Sequence, residues 1–313
     1  MKKDLEKTMI NSSSIKRLLK KTIPFLPGYH SLCLALRKLN TKNWEWIYRV
    51  PVKPGILVLV HSKVGDFYMS RPERCSIAKK YFWTQGIREP VEDRIALNLF
   101  ASLSKYSNVV LDIGANSGLF SLVAAKSNPD AKIIAFDILP EAYHVLIDNL
   151  MLNNLLEKVE IQLIGIGEKD GVFCAPFNNI SSDMPSSLSL DCKPINDDQV
   201  QVLIKSLDEI CLPRFTGKKL CIKIDVEGTE VDIFLHGRET LKIIKPDIIC
   251  EVLPDARQFN LYDQILDDCS YHKYLITNEG LKRFDKIKPD MYFKDWFFTT
   301  ENNFVFEREG FLK

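Results

Sequence analysis

Three ionisable residues alternate along one short segment of the chain. Lys223, Asp225 and Glu227 lie in K-I-D-V-E-G-T-E, where an apolar run ends and Gly228 introduces a turn. Alternation along a strand places side chains on one side, so we expect the ammonium and the two carboxylates close together. Carboxylates at such a short separation must be paired with other groups or poised for proton transfer. We predict that this segment is the reaction centre; an ion-pair network that only caps a strand is the structural alternative.

A second segment, Val109 to Ser121, has the composition of a ligand-binding turn. Its sequence, V-V-L-D-I-G-A-N-S-G-L-F-S, passes from a buried strand through Gly114 and Gly118 into a helical pattern. Glycines in such a turn let the backbone approach a ligand closely. Asn116 stands where the dinucleotide fingerprint G-x-G-x-x-G has its middle glycine. This departure disfavours a nicotinamide cofactor and suits S-adenosylmethionine.

Acidic residues follow several of the apolar runs. Asp137 comes about 20 residues beyond the glycine turn, where a carboxylate is expected to accept both hydroxyls of a ribose. In an open parallel sheet, the ligand lies in the crevice outside the carboxyl ends of the strands. The acids expected at such ends are Asp112, Asp137, Asp225 and Glu251. Asp225 and Glu251 could bind a divalent cation, but no further ligand is evident, and we predict no metal.

The elements that must position these residues alternate along the chain. Strands are predicted at 108–112, 132–137, 159–164, 220–225 and 247–252, and helices at 119–127, 140–154, 205–210 and 229–242. The alternation predicts an α/β fold: a doubly wound, mostly parallel sheet with helices on both faces. A strand–turn–strand pattern over 56–69 predicts a hairpin outside that sheet. Pro90 is expected to open a helix, and runs at 274–277, 296–300 and 304–306 are hairpin-like.

The domain organisation follows from these patterns. We divide the chain into a basic helical N-terminal extension, 1–55, and a main domain, 56–313. The main domain includes a substrate-side hairpin region, 56–85, and a polar stretch, 171–199, that is expected to form a lid-like loop. The aromatic run Tyr81-Phe82-Trp83 is expected either in the hairpin core or as a stacking platform for a ring-shaped substrate.

Composition restricts the classes of function. The 313 residues have a formal net charge of +1, so no global field favours nucleic acid as a partner. No apolar run is long enough to span a membrane and no signal-peptide pattern is present, so we expect a cytoplasmic protein. Residues 1–21 contain seven Lys/Arg against two acidic residues. They indicate a solvated helix or, alternatively, weak peripheral attachment to an anionic membrane surface.

Taken together, the motifs resemble the FkbM-type methyltransferases, which have the class I S-adenosylmethionine-dependent fold. The resemblance covers residues 86–306. It rests on the glycine turn, F-D-I-L-P-E with Asn149 and Asn153 further on, S-L-D-E-I, K-I-D-V-E-G-T-E and P-D-I-I-C-E-V. It implies a Rossmann-like sheet of seven strands with the last one antiparallel. It also implies methyl transfer to an oxygen, commonly a hydroxyl of a sugar or natural product.

The resemblance also implies roles by position. Those implied around the methionine part of the cofactor are Asp112, Gly114, Asn116 and Gly118, with Asp137 on the ribose and Gly167 bordering the adenine. Asp225 and Glu227 are implied at the acceptor, with Asp225 first and Glu227 second as base, and Lys223 setting their charge. Glu251 and Glu89 (the latter in R-E-P before the first helix) are expected on the substrate side. Asp137, where glutamate is more usual, and G-I-G at 165–167 depart from the family pattern.

Other functions stay open on the sequence alone. The acceptor is expected to be a small molecule or glycan, methylated by in-line displacement, but methylation of a protein amide or amine would use the same cofactor. A nicotinamide-dependent oxidoreductase would want a glycine in place of Asn116. A non-catalytic nucleotide-binding scaffold would be expected to lack the acidic strand ends.

Overall fold

The computed structural model describes residues 22–39, 45–168, 172–176, 199–226, 228–254, 259–288, 290–301 and 311. The strands are β1 (Val58–Val60), β2 (Phe67–Met69), β3 (Val109–Ile113), β4 (Lys132–Phe136), β5 (Val159–Gln162), β6 (Gly165–Ile166), β7 (Val172–Pro176), β8 (Gln199–Lys205), β9 (Leu220–Ile224), β10 (Asp247–Glu251), β11 (His272–Thr277), β12 (Gly280–Phe284) and β13 (Asp295–Thr299). The α-helices are α1 (Tyr29–Lys38), α2 (Ser76–Trp83), α3 (Val91–Lys105), α4 (Leu119–Ser127), α5 (Pro140–Leu152), α6 (Leu207–Phe215), α7 (Glu230–Leu235), α8 (Arg238–Ile243) and α9 (Phe259–Asp268).

A central sheet of eight strands organises the main domain. Its order is β12-β11-β13-β10-β9-β3-β4-β5. Strands β5, β4, β3, β9 and β10 run parallel, and β13 is inserted antiparallel between β10 and β11. This arrangement confirms the doubly wound, mostly parallel Rossmann-like sheet, including the antiparallel last strand. Strand β12 pairs with β11 and adds an eighth strand at the edge, which the sequence did not predict.

The strands at the centre of the sheet are buried on both faces. Every residue of β3 and of β9 is buried, as expected for continuous apolar runs covered by helices on two sides. One face packs Val110, Cys221 and Ile249 into a core shared with α3, α4 and α5. The other packs Leu111 and Ile222 into a core shared with α6, α7 and α9. The alternation of side chains along each strand therefore decides which residues can share one face at its end.

The predicted hairpin lies outside the central sheet. Strands β1 and β2 form a separate two-stranded antiparallel sheet. Asn149 of α5 accepts hydrogen bonds from the backbone N–H (2.7 Å) and hydroxyl (2.8 Å) of Ser70, and it donates to the carbonyl of Ser117 (2.8 Å). Asn153 bonds both backbone groups of Tyr68. One buried amide thus joins the end of the hairpin directly to the glycine turn.

Two predicted helices have different bounds in the structure. The helix expected at 205–210 begins at Leu207, because residues 199–205 form strand β8 and Ser206 caps the helix through a reciprocal capping box with Glu209. The helix expected at 229–242 is divided into α7 and α8 around Gly237. Helix α9 and strand β12 were not predicted.

The aromatic run 81–83 belongs to the hydrophobic core. Tyr81, Phe82 and Trp83 lie in helix α2 and are at most 1% exposed. Of the two roles predicted for these residues, the stacking platform is therefore wrong, since no ring face is open to a substrate. The predicted core role is confirmed in that the three side chains are buried, but they lie on a helix beside the hairpin.

Several predictions fall outside the described residues. These are residues 1–21, most of the lid-like stretch 171–199, the run 304–306 and Glu227. At the two ends of that stretch, β7 and β8 pair antiparallel. Among the helices that the structure describes, none is long and apolar enough to cross a membrane. The division of the chain at residue 55 stays a prediction.

Candidate active site

The glycine turn packs directly against the end of strand β9. Gly114 has a φ of +79°, and a Cβ built there would overlap the carbonyl oxygen of Asp225. Gly118 has a φ of +78°, and a Cβ there would overlap the side chain of Leu146. Asn116, at φ +49°, occupies the left-handed region that asparagine tolerates better than most residues. The sequence spacing therefore produces a turn whose two glycines are required by both backbone conformation and space.

Asp137 holds this turn in place. Its carboxylate accepts the backbone N–H of Asn116 (2.7 Å) on one oxygen and that of Leu139 (2.8 Å) on the other. Burial raises the pKa of Asp137 to about 6, against the opposing effect of these hydrogen bonds. The backbone N–H of Ile138 also bonds this carboxylate, so of its roughly four acceptor positions about one remains for a hydroxyl donor.

Asp112 has a structural partner that the sequence did not reveal. One of its oxygens accepts both the backbone N–H (2.9 Å) and the hydroxyl (2.6 Å) of Ser121. The carboxylate thereby satisfies an N–H group of the first turn of α4, a helix whose N-cap residue is Gly118 and supplies no side-chain cap. Burial raises the pKa of Asp112 to about 6.

The reaction centre predicted from the sequence is organised around a buried ammonium. Lys223 is 2% exposed, and its Nζ lies 3.5 Å from Asp225 and 3.4 Å from Asp295. The same nitrogen donates to the carbonyl of Ile224 (3.2 Å). Burial alone would lower the pKa of Lys223, but the carboxylates of Asp225, Asp295 and Glu251 outweigh it and hold the pKa well above its ordinary value. Lys223 is therefore a permanent cation.

Strand register explains why these charges meet. Asp112 is the neighbour of Lys223 across β3 and β9, and Glu251 is the neighbour of Asp295 across β10 and β13. Counting alternately along each strand places all four side chains on the face shared with α3 and α4. The carboxyl edge of the sheet thus carries a row of charged groups, as predicted for ligand crevices in open α/β sheets.

Asp295 is the member of the row that the sequence analysis missed. It begins the antiparallel strand β13, and burial raises its pKa even though Lys223 opposes the shift. The charge of Asp93, in the first turn of α3, raises it further. The sequence around this acid, D-W-F-F-T, does not indicate a place in the site, because only the insertion of β13 beside β10 brings Asp295 to this edge.

Asp225 is more open to solvent than Asp112, Asp137 and Asp295. Its side chain is 39% exposed, although the buried Lys223 pairs with it. Its backbone N–H donates to the carbonyl of Ile113 (3.0 Å), which fixes the residue against the glycine turn. Glu227, the second predicted base, lies outside the described residues.

The remaining predicted residues are placed less centrally. Glu89 pairs with Arg94 (3.3 Å) at the start of α3. Gly167 donates its N–H to the carbonyl of Lys205, and a Cβ there would meet Ile204 only at an ordinary 3.5 Å. In the same G-I-G, Gly165 is the crowded position, because a Cβ there would overlap the Ile204 side chain. Among the described residues, no group of three His, Cys, Asp or Glu is arranged to hold a metal ion.

The sheet order, the glycine turn and the acidic strand ends define a Rossmann-like domain of the class I methyltransferase type. The family described as "Methyltransferase FkbM domain" matches residues 112–273, slightly more than half of the chain. The chain belongs to this family. Its cofactor is accordingly S-adenosylmethionine, as predicted.

Relatives of known name are similar over part of their length. Methyltransferase sdnD from Sordaria araneosa is 28% identical over 182 residues, 58% of this chain and 55% of its own. Ribosomal protein L11 methyltransferase from Geobacter sp. (strain M21) is 25% identical over 179 residues, 54% of this chain and 58% of its own. 2-O-methyltransferase NoeI from Sinorhizobium fredii (strain NBRC 101917 / NGR234) is 23% identical over 203 residues, which are 61% of this chain and 76% of its own length. The chain spans little more than half the length of the first two.

Proposed function

We propose that this chain transfers a methyl group from S-adenosylmethionine to a hydroxyl oxygen of a sugar, a glycan or a natural product. The observation that carries the proposal is the position of Asp225. Its carboxylate is solvent-accessible and paired with a buried ammonium, while its own carbonyl packs against Gly114 of the glycine turn. A candidate base is thus fixed by its backbone to the turn that is expected to hold the cofactor.

The residues around the turn fit this cofactor. When bound, it supplies an electrophilic methyl group on a sulfonium. Gly114 and Gly118 let the backbone approach closely, and the carboxylate of Asp137, held beside the turn, suits a hydroxyl of the ribose. The negative charge of Asp112 and Asp137 suits a ligand that carries positive charge. Gly167 is assigned to the adenine border by position alone.

Transfer to a hydroxyl requires removal of its proton. We assign this role to Asp225, held in place by Lys223, with Glu227 as the second candidate. A positioned base contributes about 10²–10⁴-fold to the rate of such a reaction. Alignment of the acceptor oxygen with the methyl group contributes about 7–11 kcal/mol more. Glu251 and Glu89 are assigned to the acceptor side, where their carboxylates would accept hydrogen bonds from sugar hydroxyls.

A protein amine or amide is the second candidate acceptor. The similarity to a ribosomal protein L11 methyltransferase favours it, whereas the name of 2-O-methyltransferase NoeI favours the hydroxyl. Both acceptors need a base, so the cluster at Lys223 supports either. We rank the hydroxyl first because the sequence motifs resemble a family that commonly methylates oxygen.

Cofactor binding is tested by titration calorimetry of the purified chain with S-adenosylhomocysteine and, separately, with NAD. We expect saturable binding of S-adenosylhomocysteine and none of NAD. Binding of NAD alone would show that the site serves a nicotinamide-dependent oxidoreductase.

The acceptor class is tested by incubating the chain with isotopically labelled S-adenosylmethionine and two sets of acceptors. One set contains sugar nucleotides, free glycans and lipid-linked glycans; the other contains cellular protein stripped of small molecules. We expect the label in a methyl ether of the first set, identified by mass spectrometry. Label in N-methylated protein instead would contradict the proposal while leaving the methyltransferase assignment intact.

A further inference from the structure

Charge is divided unevenly along this chain. Residues 1–50 contain 11 Lys/Arg against 3 Asp/Glu, whereas the remaining residues contain 31 against 38. The net charge of +1 therefore conceals a basic N-terminal region attached to an acidic domain. Such an asymmetry is typical of a region that meets an anionic partner.

Exposed apolar side chains are concentrated in the same region. Those that are more than half exposed between residues 22 and 49 are Phe25 (68%), Leu26 (58%), Leu32 (55%), Leu39 (51%) and Trp46 (56%). A single exposed leucine needs no explanation, because folded proteins expose much apolar area. Five large apolar side chains within a stretch of 22 residues indicate an interaction surface.

Helix α1 carries apolar side chains beyond those that pack on the protein core. Its inner side is covered, with Cys33 2% exposed and Leu36 partly buried. Leu32, one turn before Leu36, and Leu39, at the end of the helix, lie at the margin of this contact and are more than half exposed. The outer side also carries the exposed Lys38, so it combines a base with uncovered apolar side chains.

The domain holds this outer side in a fixed orientation. The guanidinium of Arg37 lies over the ring of Phe82 at 4.5 Å, and the carbonyl of Arg37 accepts a hydrogen bond from Gln85 (2.8 Å). The hydroxyl of Tyr29 donates to the carbonyl of Pro51 (2.9 Å). Because α1 is docked at both ends, its apolar outer side cannot simply rotate into the protein core.

We propose that residues 22–39 and 45–49, together with the bases that precede them in the sequence, bind the surface of an anionic lipid bilayer. The exposed apolar side chains would insert at the boundary between headgroups and acyl chains, and the bases would meet the lipid phosphates. A tryptophan such as Trp46 is a preferred side chain at this depth. The bilayer is favoured because the bases and the exposed apolar side chains lie in one stretch of the sequence, and an anionic membrane interface accommodates both. A second copy of this chain is an outcome of the test. This inference does not depend on the identity of the methyl acceptor.

The test uses the intact chain and sedimentation of vesicles. One set of vesicles is pure phosphatidylcholine, and the other contains about 30% phosphatidylglycerol, an anionic lipid. We expect the chain to sediment with the anionic vesicles and to remain in solution with the neutral ones. Raising the salt concentration to about 0.5 M should release most of the bound protein, since screening weakens the attraction of the bases to the surface.

Two variants separate the contributions, and a third provides a matched control. F25S/L32S/W46S removes exposed apolar side chains, and K16Q/R17Q/K20Q/K21Q removes four bases. Each should weaken binding to the anionic vesicles by more than about tenfold. The control, M291S/Y292S, removes the neighbouring Met291 (75% exposed) and Tyr292 (83% exposed), which lie outside this region. It should bind within about twofold of the unaltered chain.

Three outcomes would overturn the proposal. The first is failure of the unaltered chain to sediment with anionic vesicles. The second is equal loss of binding in M291S/Y292S, which would indicate unspecific apolar adhesion. The third is a dimer, measured by light scattering, that F25S/L32S/W46S converts to a monomer in the absence of lipid binding; it would identify a second copy as the occupant. Thermal unfolding verifies the fold of each variant, and the charge variant gives an independent answer if the apolar variant does not fold.

Discussion

The side of the candidate site that we propose for the cofactor and the side that we propose for the acceptor hold their carboxylates in different ways. On the cofactor side, Asp112 and Asp137 are buried and are held by hydrogen bonds, mainly from backbone N–H groups and from Ser121. On the acceptor side, Asp225 is 39% exposed and is held by the ammonium of Lys223. The cofactor side is thus fixed by the path of the main chain, and the acceptor side by one buried side chain.

We expect this difference to separate effects on cofactor binding from effects on turnover. A change on the cofactor side must disturb the main chain of the glycine turn, so it should reduce cofactor affinity. A change on the acceptor side leaves that main chain in place, so it should reduce methyl transfer at unchanged cofactor affinity.

Replacing Asp225 by asparagine should lower kcat by about 10²–10⁴-fold, because the proposed base is removed at nearly constant size. The affinity for S-adenosylhomocysteine, measured by calorimetry, should change less than about threefold. Asp268→Asn, which alters an exposed aspartate paired with Arg238 in α8, is the matched control and should keep full turnover. Full turnover of Asp225→Asn with the true acceptor would disprove the assignment of the base.

Replacing Lys223 by methionine should lower the free energy of unfolding by about 3–5 kcal/mol, because carboxylates lose the buried charge that compensates them. Lys273→Met is a close control. Lys273 is also 2% exposed and has Asp263 and Asp267 each at 2.8 Å, outside the candidate site. Both variants should lose stability in chemical denaturation. Under conditions where both are folded, only Lys223→Met should lose turnover; equal loss in the two would mean that Lys223 has a structural role alone.

Replacing Gly114 by alanine should weaken binding of S-adenosylhomocysteine by about 30-fold, since the new methyl group would overlap the carbonyl of Asp225 at a left-handed backbone position. Gly217→Ala, at a similar left-handed angle (φ +77°) with open space around the new methyl group and no role in the candidate site, should bind within about twofold of the unaltered chain. Calorimetry measures both. If Gly217→Ala lost as much affinity as Gly114→Ala, the overlap with Asp225 would not be the cause.

The buried acids also predict a dependence of stability on pH. Burial raises the pKa of Asp112 from its ordinary 3.8 to about 6. Its favourable contribution to the free energy of unfolding is therefore complete below pH 3.8 and lost as the pH rises through 6. The unaltered chain should lose about 2–3 kcal/mol relative to Asp112→Asn between pH 4 and pH 7, measured by urea denaturation. Parallel pH profiles of the two proteins would show that the pKa of Asp112 is not raised.

Local patterns were sufficient to predict the elements that build the pocket. Continuous apolar runs ended by an acid gave strands β3, β4, β9 and β10, and the glycine spacing gave the turn before α4. These strands and this turn depend on residues that are neighbours in the sequence. Their hydrophobic pattern and their glycines were therefore enough to predict them.

The features that the sequence did not predict depend on distant neighbours. Asp295 reaches the carboxyl edge only because β13 is inserted beside β10. The hydrogen bond from Ser121 to Asp112 forms across a turn. The apolar content of 81–83 did not distinguish a buried helix from an exposed stacking platform. Residues 199–205 form a strand through pairing with β7, a partner more than 20 residues earlier in the chain.

The amide of Asn149 has a consequence for how the hairpin can be altered. It accepts from Ser70 after the hairpin and donates to Ser117 in the glycine turn, while Asn153 holds Tyr68. A hairpin transplanted from a relative would keep its position beside the glycine turn only if it presented a donor where Ser70 stands. Evolution or engineering can therefore exchange the outward side chains of the hairpin, whereas changing its length or register would disturb the glycine turn as well.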